Sequence, residues 1–478
     1  MVDKQIKICC IGAGYIGGTT MSVMADQCPD VLQVTVTDAS ASKIEAWKSA
    51  TSENDLPIYE PGIWEILQRC RGRNLHFSSD TKTAIQEADI VFIAVHAPTK
   101  LSGLGEMHAT DIVHCEETAR LIAQHADTSK IVVEKGTFPV KTAQAIERVL
   151  SYNEHGVQHQ VLSNPDFFSQ GSAVEDLVKP SRVLIGGGGN SKEALQTLVD
   201  IYATWVPKEK ILTPASTQSS ELAKLVANAF LAQRISSINS ISQVCEMTGA
   251  DVTQVSRAIG MDQRIGNQFL QAGLGFGKPR FRKDILSLVY LCQQHGLTEC
   301  AEYWQHVVAM NECQRQRFSY KIVHTMFRTV TGKKLAMLGY AFKKNTSDVR
   351  ETPPMYILHD LLQEDAVVHV YDPKVKRSDM LKELDVTCAV NPNNTPHLDR
   401  LVVTADDPYQ ACEDAHALLV LTDWEEFKDY DYQKVYEIMA KPAFVFDGRN
   451  LLDHDRLRHI GFEVHGIGRA DVDAAPAM

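Results

Sequence analysis

Short runs of β-branched and aliphatic residues alternate with amphipathic stretches through the first half of the chain, the patterning of a parallel sheet covered by helices. Strands are predicted over residues 6–11, 33–37, 90–95, 131–134, 160–162 and 183–185, and helices over 40–49, 111–125 and 142–151. From about Ser216 the pattern changes to a long run without Gly or Pro, apolar at helical spacing and ending at Gly249. A helix of roughly 30 residues would be about 45 Å long, enough to join two domains. More helical sequence follows to about Thr329. Then KKLAMLGYAF begins a strand, turn and helix, VVHVYDP and ALLVLT read as further strands, and PAFVFDGRN as the last. A second α/β unit thus closes the chain. The final RADVDAAPAM has no pattern and is expected to be mobile.

A chain of 478 residues is too long for one core and suggests two to three domains. With 44% hydrophobic and 23% charged residues it has the composition of a folded globular protein. Its net charge of −12 would repel a phosphate backbone, which argues against nucleic acid and requires a local basic site for any anionic ligand. No window approaches the ~20 apolar residues of a membrane span, and no apolar leader precedes a cleavage site, so a cytoplasmic location is expected. The 11 cysteines include no CxxC pair, and several, such as Cys9, Cys10, Cys115 and Cys245, fall in apolar runs. Reduced core thiols are expected, and no metal site.

Gly12-Ala13-Gly14-Tyr15-Ile16-Gly17 follows an apolar strand and opens a helical segment, the context that a dinucleotide fingerprint requires. Gly12 permits the tight turn, Gly14 lets the backbone approach a pyrophosphate, and Gly17 allows close packing of helix on strand. Asp38, about 20 residues further on, is placed to accept hydrogen bonds from the ribose hydroxyls and would repel a 2′-phosphate. NAD is therefore expected rather than NADP, with Lys43 close by as a cofactor contact that keeps the alternative in view. The expected fold is α/β, with two Rossmann-like doubly wound domains joined by a long central helix.

Further motifs run almost the whole length of the chain: LPIYEPG at 56–62, EADIVF at 87–92, APTK at 97–100, the stretch 219–242, IGMDQRIG at 259–266, FRKD at 281–284, AFKK at 341–344, YDPKV at 371–375 and FDGR at 446–449. In these the sequence resembles the UDP-glucose 6-dehydrogenase family, its animal-type branch in particular, within the UDP-glucose/GDP-mannose dehydrogenase superfamily. The resemblance implies an NAD-binding domain over 1–215, a helical connector with dimer contacts over 216–329, a UDP-sugar-binding domain over 330–468 and a flexible tail over 469–478. It further implies a homo-oligomer built from dimers, in some members a hexamer. Such enzymes oxidise the C6 alcohol of the sugar twice, passing hydrides to two NAD molecules, and hold the intermediate aldehyde on a cysteine.

Carried onto this sequence, the resemblance makes Lys224 and Asn228 the groups that stabilise a developing alkoxide and contact the sugar. Asp284 becomes the general base, working with that lysine on a water, and Thr137 a residue near that water and the nicotinamide. Arg264 matches an arginine that reaches a neighbouring subunit's site; Lys343 and Arg449 match cations of the UDP site. Phe276, Gly277 and Lys283 belong to the segment that should line the sugar pocket.

That segment departs from the family pattern. Where FGGSCFxKD is usual, this chain has Phe276-Gly277-Lys278-Pro279-Arg280-Phe281-Arg282-Lys283-Asp284, with Arg280 at the position of the cysteine. A guanidinium has no lone pair to give, so no thiohemiacetal or thioester can form there. Asp166 stands for a glutamate, Gln170 for a second glutamate expected near the nicotinamide, and Gly136 for a serine, while His96 and Ala97 alter a strand end. One reading of the basic cluster has Arg282 facing solvent and Arg280 filling space. The other pairs Arg280 with Asp166, Asp284 or a carboxylate on the ligand. Three functions stay open: an oxidoreductase on a UDP-hexose making a single or transient hydride transfer, an inactive paralogue that binds both ligands and regulates an active partner, and oxidation to UDP-glucuronate by a non-covalent mechanism.

Overall fold

The computed structural model describes residues 5–188, 191–277, 279–390, 400–403 and 407–470. Lys278 and residues 471–478 of the expected tail lie outside the described residues. The chain divides into two compact units, Met1–Ala227 with Leu286–Gln294 (unit 1) and Asn228–Ile285 with His295–Met478 (unit 2).

Unit 1 is built on strands β1 (Ile6–Ile11), β2 (Leu32–Thr37), β3 (Leu75–Ser78), β4 (Ile90–Ile93), β5 (Ile131–Glu134), β6 (Gln160–Ser163), β7 (Val183–Leu184), β8 (Gly186–Gly187) and β9 (Ile211–Leu212). The main sheet has the order β3-β2-β1-β4-β5-β6-β8, parallel except for β8, which runs antiparallel to β6. Successive residues of β1 serve opposite faces: Ile8 and Cys10 pack into one hydrophobic cluster, Cys9 and Ile11 into another. Both faces are therefore covered, which is why β1 reads as an unbroken apolar run. β3 was not expected, because only Leu75 and Phe77 of its four residues are apolar and His76 between them is exposed. The expected strand at 183–185 is shorter, and β7 pairs with β9 in a separate two-stranded sheet.

The expected long helix is Thr217–Thr248, and the division between the units falls inside it. Unit 2 repeats the doubly wound order with β10 (Lys334–Leu338), β11 (Val367–Tyr371), β12 (Leu401–Val403), β13 (Ala417–Val420), β14 (Phe444–Asp447) and β15 (Glu463–Gly466), arranged β12-β11-β10-β13-β14-β15. Two expectations need correction. No helix follows β10 directly: the next begins at Pro353, capped by the Thr352 side chain, because the loop between them is held by other contacts described below. Nor is 442–450 the last strand, since the polar edge strand β15 follows it. Arg469, assigned to the mobile tail, is instead ion-paired with Asp251 at 3.2 Å. Among the described residues no helix is long and apolar enough to cross a membrane.

Candidate active site

The glycine turn after β1 is shaped by what a side chain would strike. Gly12 has φ of +116°, and an added Cβ would lie 2.4 Å from the Ala94 carbonyl oxygen. At Gly17 it would lie 2.0 Å from the Gly12 carbonyl oxygen, whereas at Gly14 it would meet nothing within 4 Å. The helix Tyr15–Gln27 begins there with no side-chain cap and no acid in its first turn, leaving its N–H groups directed to an anion. Tyr15 and Ile16 are half-buried in that turn. Asp38 closes the turn: its carboxylate accepts from the Ala13 and Ser40 N–H groups and from Lys43 Nζ, all at 2.9 Å. Burial alone would raise its pKa, but Lys43 and the two backbone donors outweigh this and hold it below the usual carboxylate range. Lys43 is thus occupied by Asp38.

Two further expected cofactor residues carry enclosed oxygens with no hydrogen-bond partner among the described residues, the Thr137 hydroxyl and the Gln170 side-chain carbonyl. Together with the open face at Gly14 and the uncapped helix start, these orphaned acceptors fit a dinucleotide. Glu60, within LPIYEPG, is a residue that the motif reading did not single out. It is fully buried, accepts from the Tyr15 hydroxyl, and accepts at 2.7 Å from both the Gly171 and Ala173 N–H groups. It ties the fingerprint helix to the loop of Gln170.

The end of β6 presents Asp166. Its carboxylate lies 3.9 Å from Lys224 Nζ, both side chains being nearly inaccessible, and the ammonium stands 5.2 Å from the centre of the Phe167 ring. Asn164, two residues earlier, is anchored by Lys135 Nζ at 3.0 Å and the Tyr202 hydroxyl at 2.7 Å. Glu134, at the end of β5, is buried beside Glu221; burial, then the Glu221 charge, pushes its pKa well up. Glu221 in turn accepts from the Lys141 and Ala143 N–H groups at 2.7 and 2.8 Å. This pair, invisible to motif reading, joins the loop of Thr137 to the helix that carries Lys224.

In unit 2, Asn228 lies one turn beyond Lys224 on the same helix and donates through Nδ2 to Asp284 Oδ2 at 2.5 Å, both residues being buried. The helix Pro279–Gln294 carries Arg280 and Lys283 in its first turns, each half-buried. Arg282 does not simply face solvent: it pairs with Glu312 at 3.7 Å. Phe276 is pinned by Asn311, which accepts from its N–H at 2.7 Å and donates to its carbonyl at 2.9 Å. Gly277 leaves no room for a side chain, since a Cβ would lie 2.4 Å from Pro353.

A cavity of about 250 Å³ in unit 2 is lined by Leu270, Gln271, Lys344, Asp423 and Arg449 among others. Arg449 donates to the carbonyls of Leu421 at 2.8 Å and Phe342 at 2.9 Å, and its own N–H is held by Asp447. Lys344 lines this cavity rather than Lys343, whose ammonium is 5.9 Å from the Phe342 ring. The turn after β10 is not a second dinucleotide cradle. Asp372 Oδ2 accepts from both the Tyr340 and Ala341 N–H groups, at 2.7 and 3.0 Å, so two successive donors of this turn are taken where Asp38 takes only that of Ala13. Arg264 lies at the surface, 89% exposed and paired with its own neighbour Asp262.

Family models match three successive segments of the chain: residues 6–206 match the NAD binding domain of the UDP-glucose/GDP-mannose dehydrogenase family, residues 218–313 its central domain and residues 336–454 its UDP binding domain. The chain is 51% identical over 474 residues to UDP-glucose 6-dehydrogenase 4 of Arabidopsis thaliana, covering 97% of each. It is 52% identical over 468 residues to UDP-glucose 6-dehydrogenase of Gallus gallus, covering 97% of this chain and 93% of that one. Among solved structures it is similar to a UDP-glucose dehydrogenase from Pyrobaculum islandicum, with a TM-score of 0.79, 28% identity, and coverage of 96% and 98%.

Proposed function

Because the chain belongs to the UDP-glucose/GDP-mannose dehydrogenase family, we propose that it oxidises a UDP-hexose resembling UDP-glucose by a single or transient hydride transfer, without the covalent second oxidation. NAD is the cofactor, and when bound it accepts the hydride. The remaining chemistry falls to the chain's own side chains. Lys224, paired with Asp166, supplies the positive charge that stabilises an alkoxide developing on the sugar. Asn228 orients the Asp284 carboxylate, which as general base takes the hydroxyl proton through a water that it holds together with Lys224. Arg449, which lines the unit 2 cavity, and Lys343 recognise the diphosphate end of the substrate. Arg280 does no nucleophilic chemistry, because a guanidinium offers neither a lone pair nor an accessible neutral form.

The observation that carries this reading is the segment 276–284: a framework for sugar and base is retained around Arg280, four residues before Asp284 on one helix. The test supplies purified protein with UDP-glucose and NAD, counts NADH formed per sugar consumed and identifies the product. One NADH per sugar, or a rearranged sugar, supports the proposal. Two NADH with UDP-glucuronate would overturn it in favour of non-covalent acid formation, and tight binding of both ligands without turnover in favour of a regulatory paralogue. As a companion, Arg280→Cys should raise acid formation, moving the ratio from one NADH toward two.

The same reading makes the protein a cytoplasmic homo-oligomer with the domain limits given above. Support for self-association comes from the long helix, on which Phe230, Ile241, Val244 and Met247 remain 54%, 41%, 54% and 82% exposed.

A further inference from the structure

The loop 165–168 that carries Asp166 forms part of the lining of a cavity of about 220 Å³ within unit 1. Four cations line it as well: Lys135, Lys179, Arg182 and Lys210. The two carboxylates in the lining are already engaged. Asp166 pairs with Lys224, which is not itself part of the lining, and Asp176 accepts from the Ser169 N–H at 2.9 Å and the Ser172 hydroxyl at 3.0 Å.

The cations are not answered by anions. Arg182 is half-buried, its guanidinium stacks 3.9 Å from the centre of the Phe167 ring, and its side chain donates to the Ser181 hydroxyl at 3.2 Å. Lys210 Nζ donates to the Pro180 carbonyl at 3.1 Å. Lys135 Nζ, buried, donates to Asn164 Oδ1 and to the Tyr202 hydroxyl at 3.3 Å. Among the described residues none of these three forms an ion pair with a carboxylate. Partly desolvated cations are ordinarily paired within the protein, since an uncompensated charge out of water is costly. In a chain of net charge −12 there is no shortage of acids to place beside them. A planar guanidinium fork, two ammonium groups and hydroxyl groups around one space make a good complement to a tetrahedral dianion, and a poor one to a neutral or cationic ligand.

We propose that this cavity binds a small phosphate-class dianion, either inorganic phosphate or a phosphomonoester, at a position separate from the two nucleotide sites. Because Phe167 is both the platform for Arg182 and the neighbour of Lys224, an occupant bears on the loop that holds Asp166.

The test is calorimetric titration of the full chain, saturated with NAD and UDP, with inorganic phosphate and separately with glycerol 3-phosphate at constant ionic strength. Saturable binding of one equivalent is expected, and whichever probe binds more tightly identifies the source of the phosphate group. Arg182→Gln and Lys210→Gln should each weaken it at least tenfold while leaving the NAD and UDP affinities unchanged. That unchanged affinity serves as the control for folding, and Lys210→Gln keeps the test decisive if Arg182→Gln does not fold. Absence of saturable binding would overturn the proposal. So would binding that both variants retain, or binding seen only when NAD or UDP is left out, which would place the anion on the nucleotide sites.

Discussion

A methyl group added to the glycine turn separates folding from binding. At Gly17 it would strike the Gly12 carbonyl at 2.0 Å, in the packing of helix on strand, so Gly17→Ala should cost stability by about 1–3 kcal/mol, as overpacked sites do. At Gly14, where φ is −79° and the space is open, Gly14→Ala should fold normally yet weaken NAD binding by roughly tenfold or more, since the backbone can no longer approach a pyrophosphate. Thermal unfolding and NAD titration of the two variants check both statements. The Glu134 carboxyl gives a second residue-level prediction. Burial pushes its pKa well above the ordinary 4.5, so the folded chain keeps a proton that the unfolded chain releases. Stability from this group is therefore complete below that ordinary value and is lost as pH rises above it, with a slope of at most about 1.4 kcal/mol per pH unit for one proton. Glu134→Gln keeps a donor toward Glu221 without a titrating proton. Urea midpoints measured from pH 5 to 8 should fall less steeply with pH in the variant than in the parent; equal slopes would rule this account out.

Elements differ in how far local patterning reaches. The long helix was legible because a stretch free of Gly and Pro with helical apolar spacing admits little else, and it was found at Thr217–Thr248. The turn after β10 was misread because its apolar run resembles a helix start, while its N–H groups are in fact committed to Asp372 from the neighbouring strand. A lock that is local in sequence holds the loop of Arg449. Asp447 at the end of β14 accepts from the Arg449 and Leu452 N–H groups and, through Oδ2, from His454 Nε2 at 3.0 Å. Arg469 Nη1 lies 3.0 Å from His454 Nδ1; an arginine can only donate, so Nδ1 accepts and Nε2 is the donor to Asp447. Thus a residue assigned to the mobile tail sets the tautomer that steadies the loop of Arg449, proposed above to meet the diphosphate. His454→Leu should raise the Kd for UDP about tenfold with NAD affinity unchanged, and His454→Gln, which can both accept and donate, should recover most of it.

For the whole molecule, the two doubly wound units share the order of their six parallel strands, unit 1 adding the antiparallel β8, but carry different turns: Asp38 takes one N–H group of the first turn, that of Ala13, whereas Asp372 takes two of the second, those of Tyr340 and Ala341. The exposed apolar residues of the long helix predict that Val244→Asp combined with Met247→Asp lowers the solution mass of the oligomer toward that of a monomer, by light scattering, without changing NAD affinity. Periodicity and spacing by themselves determined the α/β class and the fingerprint with Asp38, because helix and strand patterning and a glycine turn are local properties of the chain; the residues at 224, 228, 280 and 284 stand out through the family resemblance of the motifs around them. Only the tertiary structure decided that Lys43 is spent on Asp38, that Lys224 is paired with Asp166, that Asn228 holds Asp284, and that Glu134, Glu221 and Glu60 brace the site. The physical reason is distance along the chain. Glu60 and Ala173, or Glu134 and Glu221, are far apart in sequence and meet only when the sheet forms; a buried polar group's partner, and hence its charge, is decided by that meeting.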